Sequence, residues 1–187
     1  MTSSPEVLDV SPIHLSAQLI NVSVTIIDKQ TSFLASFVYG FNNLGTRLTL
    51  WDDIKHLSSQ RPWILLGDFN VVRYQQERLG GDLSWPPYMT NLNDCCYDAQ
   101  VDDLKASGIH LTWVKRGNDG DRKSRKLDRV LCNTKWLSCF PLSEAEFLPP
   151  SSSTTVPCWF EQELRCIGGE LHFASSKCGL ITKSLRT

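Results

Sequence analysis

Two segments near the start of the chain alternate between apolar and polar residues, as β-strands with one buried face do. The first covers residues 18–27 and the second covers residues 33–39. Between them lies the polar sequence Asp28-Lys29-Gln30, which suits a tight connection. The pattern therefore predicts an antiparallel β-hairpin.

Longer apolar patterns follow this hairpin. Apolar residues recur every three to four positions over residues 44–57, which predicts an amphipathic helix. Arg61-Pro62 ends this region, because the residue before a proline is disfavoured in a helix. Four apolar residues at positions 63–66 predict a buried strand, and a second helix is predicted over residues 88–99.

Shorter elements complete the pattern. Strands are predicted at residues 110–114, 127–131 and 144–147, and a short helix at residues 134–139. Strands alternating with helices indicate a layered α/β or α+β domain. Residues 151–155 are all serine or threonine and interrupt this pattern. The remainder, 156–187, has no clear period, with one or two helical turns at 160–167 as an option.

The buried strand predicted at residues 63–66 runs into Gly67-Asp68-Phe69-Asn70. In an extended chain Asp68 and Asn70 point to the same face, because residues two apart share a side. A carboxylate can accept a proton from water, and an amide can donate to a phosphate oxygen, so the pair suits phosphoester hydrolysis. The same sequence also suits a turn that caps a strand.

The composition excludes several classes of protein. The chain has 187 residues, 41% of them hydrophobic and 21% charged, which is typical of one globular domain. A net charge of -1 gives no overall attraction to nucleic acid or anionic membranes. No apolar run approaches a membrane span, and the first six residues lack the basic start of a secretory signal. We therefore expect an intracellular protein, in the nucleus or cytoplasm, without a membrane partner.

No C-x-x-C spacing occurs among the seven cysteines, so a structural zinc site is not predicted. One locally basic segment, residues 115–126, could follow a phosphate backbone. The candidate nucleic-acid-binding residues in it are Lys115, Arg116, Arg122, Lys123, Arg125 and Lys126. The alternative is a solvated hairpin loop, and base stacking is not predicted because no aromatic residue interrupts the segment.

Seven short motifs follow one another between residues 37 and 150. They are Phe37-Val38-Tyr39-Gly40-Phe41-Asn42, residues 47–51, residues 65–70, Leu111-Thr112-Trp113, Arg125-Lys126-Leu127-Asp128-Arg129, Lys135-Trp136 and Phe147-Leu148-Pro149-Pro150. In this order and spacing they resemble the endonuclease/exonuclease/phosphatase family. The closest resemblance is to the apurinic-type endonuclease domain of plant LINE-like, non-LTR retrotransposon polyproteins.

This resemblance implies an α/β fold, a partial four-layer α/β sandwich of mixed β-sheets flanked by helices. The N-terminal strands and the last catalytic strand of the family domain are expected to be missing. The resemblance also implies Mg²⁺-dependent hydrolysis of DNA phosphodiester bonds by a water molecule that attacks in line.

The resemblance assigns roles to four residues. Asp68 orients or deprotonates the attacking water, and Asn70 holds the phosphate. Tyr39 donates its hydroxyl to a phosphate oxygen, and Asp128 accepts the Nδ1 proton of a catalytic histidine. Outside the family pattern, Tyr39 is an ordinary strand-end residue, and Asp128 pairs with the arginine three positions before it or the one after it.

Two departures from the family pattern lead us to expect catalytic inactivity. Residues 1–14 contain neither the asparagine nor the metal-binding glutamate with which a family domain opens. Where Ser-Asp-His-Ser-Pro is expected, the chain has Ser153-Thr154-Thr155-Val156-Pro157, so hydroxyls replace a metal ligand and an imidazole. None of the histidines lies at that place: His14, His56, His110 and His172. We therefore expect no complete metal site and no tightly bound Mg²⁺.

We divide the chain into an unstructured N-terminal segment (residues 1–14), a truncated endonuclease-like domain (15–150) and a divergent tail (151–187). A shift of reading frame just before Thr154 is our hypothesis for the tail, because codons for Asp-His-Ser-Pro read one nucleotide later can spell Thr-Thr-Val-Pro. The favoured function is an inactive endonuclease fragment with weak or no DNA binding. The alternatives are a non-catalytic nucleic-acid-binding module and an enzyme completed by another chain.

Overall fold

The structure, a computed structural model, describes residues 8–82, 84–115 and 122–148, together with the backbone of residues 159–166, 169–176 and 182–183. The strands are β1 (Leu8–Leu15), β2 (Leu19–Ile26), β3 (Thr31–Tyr39), β4 (Trp63–Asp68), β5 (Arg78–Leu79), β6 (Val101–Asp103), β7 (Ala106–Gly108), β8 (Trp113–Lys115), β9 (Lys123–Arg125), β10 (Asp128–Asn133), β11 (Glu144–Phe147), β12 (Trp159–Cys166), β13 (Gly169–Ser176) and β14 (Thr182–Lys183). The α-helices are α1 (Leu44–His56), α2 (Asn91–Ala99) and α3 (Thr134–Cys139).

A mixed sheet with the strand order β1-β2-β3-β4-β10-β6 forms the centre of the fold. Neighbouring strands are antiparallel except β3 and β4, which run parallel. The pairing of β2 with β3 extends from Leu19↔Val38 to Ile26↔Thr31 and confirms the predicted hairpin. Because β3 and β4 are parallel, their carboxyl ends lie at the same edge of the sheet, where α/β sheets usually bind ligands.

Helices α1 and α2 cover one face of this sheet. The first begins after Asn43, whose side chain accepts a hydrogen bond from the Thr46 backbone N–H at 3.1 Å. Leu50 and Ile54 of α1 pack with Trp63 of β4 in one buried cluster. Both predicted helices are confirmed, with one 3₁₀ turn before α2.

The opposite face of the central sheet packs against a second sheet, with the strand order β14-β13-β12-β11-β7. Phe33 of β3, Trp136 of α3 and Phe147 of β11 belong to the core between the sheets. The rings of Phe33 and Trp136 meet edge to face, with centroids 5.2 Å apart and planes at 86°. The layers of helices, sheet and sheet confirm the predicted α/β sandwich.

Strand β1 corrects the expectation that residues 1–14 are unstructured, because residues 8–14 pair with β2. The register shifts between Pro12 and His14. Such a bulge breaks the strict alternation by which a strand is recognised in a sequence. The central sheet therefore has one strand more at this edge than was predicted.

The tail contributes β12, β13 and β14 to the second sheet, where β12 pairs antiparallel with β11. The helical turns considered for residues 160–167 are therefore wrong over residues 160–166, since residues 159–166 form β12, and residue 167 lies outside the described part of the chain. The origin of the tail in a shifted reading frame stays a prediction. Among the described residues, no helix is long and apolar enough to span a membrane.

Candidate functional site

Tyr39, Asp68 and Asp128 form a row across three adjacent strands. Asp68 on β4 is the register partner of Tyr39 on β3 and of Asp128 on β10. Directly paired residues point to the same face, and in antiparallel pairs their Cβ atoms lie roughly 4.5–5.5 Å apart. Leu66 and Val130, two residues away on their strands, lie in the core between the sheets. The row therefore faces the second sheet, at the edge of the central sheet where β3 and β4 end.

Asn70 closes a tight turn beside this row. Its φ of 52° is left-handed, and its backbone N–H donates to Asp68 Oδ1 at 2.8 Å. Its side-chain amide donates to the Gly40 carbonyl oxygen at 2.6 Å. The strand-capping turn considered as the alternative for Asp68-Phe69-Asn70 is therefore present. It also fixes the carboxylate of Asp68, so the turn and a catalytic role are compatible.

Two glycines allow the chain to approach itself closely at this corner. Gly67 has a φ of +140°, and a Cβ there would lie 2.0 Å from the Val38 carbonyl oxygen. A Cβ at Gly40 would lie 2.7 Å from the Phe69 carbonyl oxygen. A side chain at either position would push β3 away from the end of β4 and open the row.

The row is buried at one end and exposed at the other. Asp68 and Asp128 are 4% and 3% exposed, whereas Tyr39 is 44% exposed. The backbone N–H groups of Leu127 and Asp128 both donate to Thr112 Oγ1 at 3.1 Å. Thr112 thereby fixes the start of β10 and the position of the Asp128 carboxyl group. It lies in one of the seven motifs, but the sequence assigned it no role.

The two arginines near Asp128 have other partners. Arg129 donates to Glu77 and Asp103 on the opposite face of β10. Arg125 donates to the backbone carbonyl oxygens of Leu79, Gly80 and Ser124. The alternative in which one of these arginines forms an ion pair with Asp128 stays a prediction.

An ionic network lies on that opposite face and was not predicted. Its cations are Arg73, Lys126 and Arg129, and its acids are Glu77, Asp102 and Asp103. Burial by itself raises the pKa of Asp103, but the cations outweigh burial and hold this pKa below its usual value. Arg129 and Glu77 are 52 positions apart, so no local sequence pattern predicts their contact.

The basic segment is placed only in part. Strands β8 and β9 pair antiparallel with Lys115 opposite Lys123, which confirms a hairpin. Arg116 lies among residues 116–121, outside the described part of the chain. The side chain of Lys126 is 13% exposed and its Nζ lies 3.6 Å from Asp103 Oδ1, so the network already compensates its charge.

A cavity of about 440 Å³ opens between the Asn70 turn and this hairpin. Its lining includes Asn70, the aromatic rings of Tyr88 and Trp113, and the cationic side chains of Lys123 and Arg125. The structure thus brings together the residue predicted to hold phosphate and two residues predicted to bind nucleic acid. Arg122 is exposed just before β9 and does not line this cavity.

The described residues do not by themselves fit a bound Mg²⁺. Among them, no three His, Cys, Asp or Glu side chains are placed to hold a metal ion. Asp68 and Asp128 supply two carboxylates, and Asp68 Oδ1 already accepts the Asn70 N–H. Of the histidines, His14 lies 3.6 Å from Asp53, and the exposed His56 lies 2.7 Å from a carbonyl oxygen of its own helix.

No protein-family model matches the chain, and no curated protein was found to match it. Among solved structures, the endonuclease domain of TRAS1, a telomere-specific non-LTR retrotransposon, is similar over 74% of this chain and 61% of that domain. The TM-score is 0.55 and the sequence identity is 15%. The fold resembles that of a retrotransposon endonuclease domain. The chain spans about three fifths of that domain's length.

A functionally unknown conserved protein from Enterococcus faecalis V583 matches 70% of this chain and 47% of its own, with a TM-score of 0.41 and 14% identity. That similarity is too low to bear on the function. At such identities both matches concern the fold, and the chemistry must be argued from the site.

Proposed function

We propose that this chain is part of a Mg²⁺-dependent, phosphodiester-hydrolysing endonuclease domain of retrotransposon origin, and that by itself it is catalytically inactive. The observation that carries the proposal is the row of Tyr39, Asp68 and Asp128 beside the Asn70 turn. Water activation and phosphate binding need these residue types. The row lies at the carboxyl ends of β3 and β4, in a fold that resembles a retrotransposon endonuclease domain.

Each side chain has a defined task in this proposal. Asp68 accepts a hydrogen bond from the attacking water, and the Asn70 backbone N–H at 2.8 Å keeps its carboxylate in place. Asn70 gives one amide hydrogen to the Gly40 carbonyl oxygen and the other to a phosphate oxygen. Tyr39 donates its hydroxyl from the exposed rim. Asp128 would orient the catalytic histidine, at whose place this chain has Thr155.

Inactivity is proposed because the groups for metal binding and proton transfer are not among these residues. Thr154 and Thr155 stand where the family resemblance places an aspartate and a histidine. A hydroxyl neither binds Mg²⁺ as a carboxylate does nor transfers a proton near neutral pH. Loss of one stabilising group typically costs about 3–4 kcal/mol, so two such losses reduce turnover by about 10⁴-fold or more.

A plasmid-nicking assay with Mg²⁺ or Mn²⁺ tests this proposal. The unmodified chain is expected to nick no faster than Asp68→Ala, which lacks the water-activating carboxylate. The matched control is Asp98→Ala, which removes an exposed carboxylate on α2. Nicking that persists in Asp98→Ala and disappears in Asp68→Ala would contradict the proposed inactivity.

A second candidate function is non-catalytic nucleic-acid binding through the β8–β9 hairpin. The observation in its favour is that Lys123 and Arg125 line the same cavity as Asn70. With a net charge of -1, such binding depends on this local patch alone.

Fluorescence anisotropy with duplex DNA at low and moderate salt measures this binding. Reversing the charges of Arg122, Lys123 and Arg125 to glutamate is expected to abolish salt-dependent binding. The matched control is Lys105→Glu, which reverses an exposed lysine paired with Glu144 outside the hairpin. An equal loss of DNA binding in the Lys105→Glu control would contradict the hairpin as the binding surface.

A further inference from the structure

Three cationic side chains lie in the wall of the cavity beside Asn70. Arg47, Lys123 and Arg125 line it, and no aspartate or glutamate of the described chain does. We propose that this cavity binds a phosphate group next to the one held by Asn70, with Arg47 in its wall. This inference deepens the proposed function and rests on it for the position of the neighbouring phosphate.

Arg47 is a buried cation whose described hydrogen bonds go to backbone carbonyl oxygens. It is 5% exposed, and its Nη1 donates to the carbonyl oxygens of Phe41 at 3.0 Å and Asn70 at 2.5 Å. Its Nε is buried without a hydrogen-bond partner, and no described residue accepts from its Nη2. Buried arginines are normally satisfied by carboxylate or phosphate, often through two parallel hydrogen bonds. The guanidinium is therefore fixed in place, and among the described residues no carboxylate accepts a hydrogen bond from it.

Burial lowers the pKa of Arg47, and the nearby carboxylate of Asp68 opposes this effect. Burial of a charge without a partner is costly, and an anion in the cavity would offset that cost. The two carbonyl oxygens that hold Nη1 belong to the segment after β3 and to the Asn70 turn. An anion at Arg47 would therefore lie beside the residue proposed to hold phosphate.

Arg125 supplies a second guanidinium of the same kind. Its Nη1 donates to the Leu79 carbonyl oxygen at 2.9 Å and its Nη2 to the Gly80 carbonyl oxygen at 3.0 Å. Burial lowers its pKa, and the positive charge of Arg78 lowers it further. Two arginines whose hydrogen bonds within the described chain go to carbonyl oxygens therefore line one cavity.

The chemistry and size of the cavity define the ligand class. Guanidinium groups bind phosphate oxygens through planar, charge-assisted hydrogen bonds. A volume of about 440 Å³ admits a phosphate together with part of the molecule that carries it. The ligand can be a free phosphate or a phosphodiester of a nucleic-acid strand, and the experiment separates these sources.

The test is an NMR titration of the ¹⁵N-labelled chain in EDTA at constant ionic strength. Trp113 lines the cavity, so its indole N–H resonance, assigned with Trp113→Phe, reports on occupancy. Inorganic phosphate and a four-nucleotide oligothymidylate are titrated separately, with chloride as the reference anion. We expect a saturable shift that Arg47→Gln and Arg125→Gln weaken at least fivefold, while the exposed Arg61→Gln leaves it unchanged.

The results of the titration distinguish the two sources of phosphate and can also contradict the proposal. If the cavity binds the oligothymidylate more tightly than inorganic phosphate, the ligand is a phosphodiester of a nucleic-acid strand. If the two affinities are equal, the ligand is free phosphate. No saturable shift with either probe, or an unchanged shift in Arg125→Gln, overturns the proposal. If circular dichroism shows that Arg47→Gln does not fold, the test relies on Arg125→Gln, because Arg125 is only half-buried. Because the titration is done in EDTA, it does not depend on metal-dependent nicking. The result of the nicking assay therefore neither supports nor weakens the proposal of a phosphate site in the cavity.

Discussion

Replacing Arg129 with methionine is expected to destabilise the folded chain strongly. Arg129 is fully buried, and its partner Glu77 is 3% exposed. Glu77 Oε2 accepts hydrogen bonds from the Arg73 backbone N–H at 2.7 Å, from the Tyr74 backbone N–H at 3.1 Å and from Arg129 Nη2. The variant removes the charged donor and leaves the carboxylate buried.

The magnitude follows from the burial of Glu77. Without Arg129, the Glu77 carboxylate loses its closest cation and keeps Lys126 Nζ at 3.9 Å and the backbone N–H groups of Arg73 and Tyr74. Breaking a buried ion pair on one side typically costs about 3–5 kcal/mol. That is about a fifth or more of the roughly 5–15 kcal/mol by which most domains are stable.

Urea unfolding followed by tryptophan fluorescence measures the loss, since Trp63 and Trp136 are fully buried. The matched control is Arg61→Met at an exposed position, which is expected to change stability by less than about 0.5 kcal/mol. The double variant Arg129→Met with Glu77→Gln is expected to recover at least about 1 kcal/mol of the single loss. A loss below about 1 kcal/mol for Arg129→Met would refute the reasoning.

Three further outcomes are expected. Because the folded-state pKa of Asp103 is held below its usual value, its stabilising effect is complete above about pH 4 and is lost as the pH falls. Urea midpoints at neutral and acidic pH should therefore differ less in Asp103→Asn, and an unchanged difference would contradict this assignment. Gly67→Ala should lose at least about 2 kcal/mol in the same unfolding assay, since its Cβ would collide with a carbonyl oxygen, whereas Gly45→Ala in α1 should lose less than about 1 kcal/mol. Iodoacetamide at pH 8, mapped by mass spectrometry, should label the exposed Cys139 before the buried Cys95, Cys96 and Cys132, and equal rates at these four thiols would be the contrary result. Burial raises the pKa of Cys95 to about 12, of Cys96 to about 11 and of Cys132 to about 12.

Elements with a strong period were predictable from the sequence. The apolar spacing over residues 44–57 corresponds to α1, and α3 and β11 begin and end where their patterns do. These segments bury one face against a neighbour, so local periodicity and tertiary packing agree. By contrast, β6 and β7 have three residues each, which is too short for a periodic signal, and the bulge hides β1.

The candidate site was only partly predictable for a related reason. The spacing of Asp68 and Asn70 is local, and their turn is visible in the sequence. Register is not local: that Asp128 pairs with Asp68 depends on how β10 meets β4. The burial of the Arg47 guanidinium against two carbonyl oxygens likewise follows only from the fold, because an arginine in an amphipathic helix pattern is normally interpreted as an exposed polar position.

The central claim is that the chain holds the phosphate-facing part of a hydrolytic site without the part that holds the metal ion. Titration with Mn²⁺, followed by the electron paramagnetic resonance of the free ion, tests this most directly. The account predicts no stoichiometric site below millimolar Mn²⁺. A single tight site that disappears in both Asp68→Ala and Asp128→Ala would contradict it.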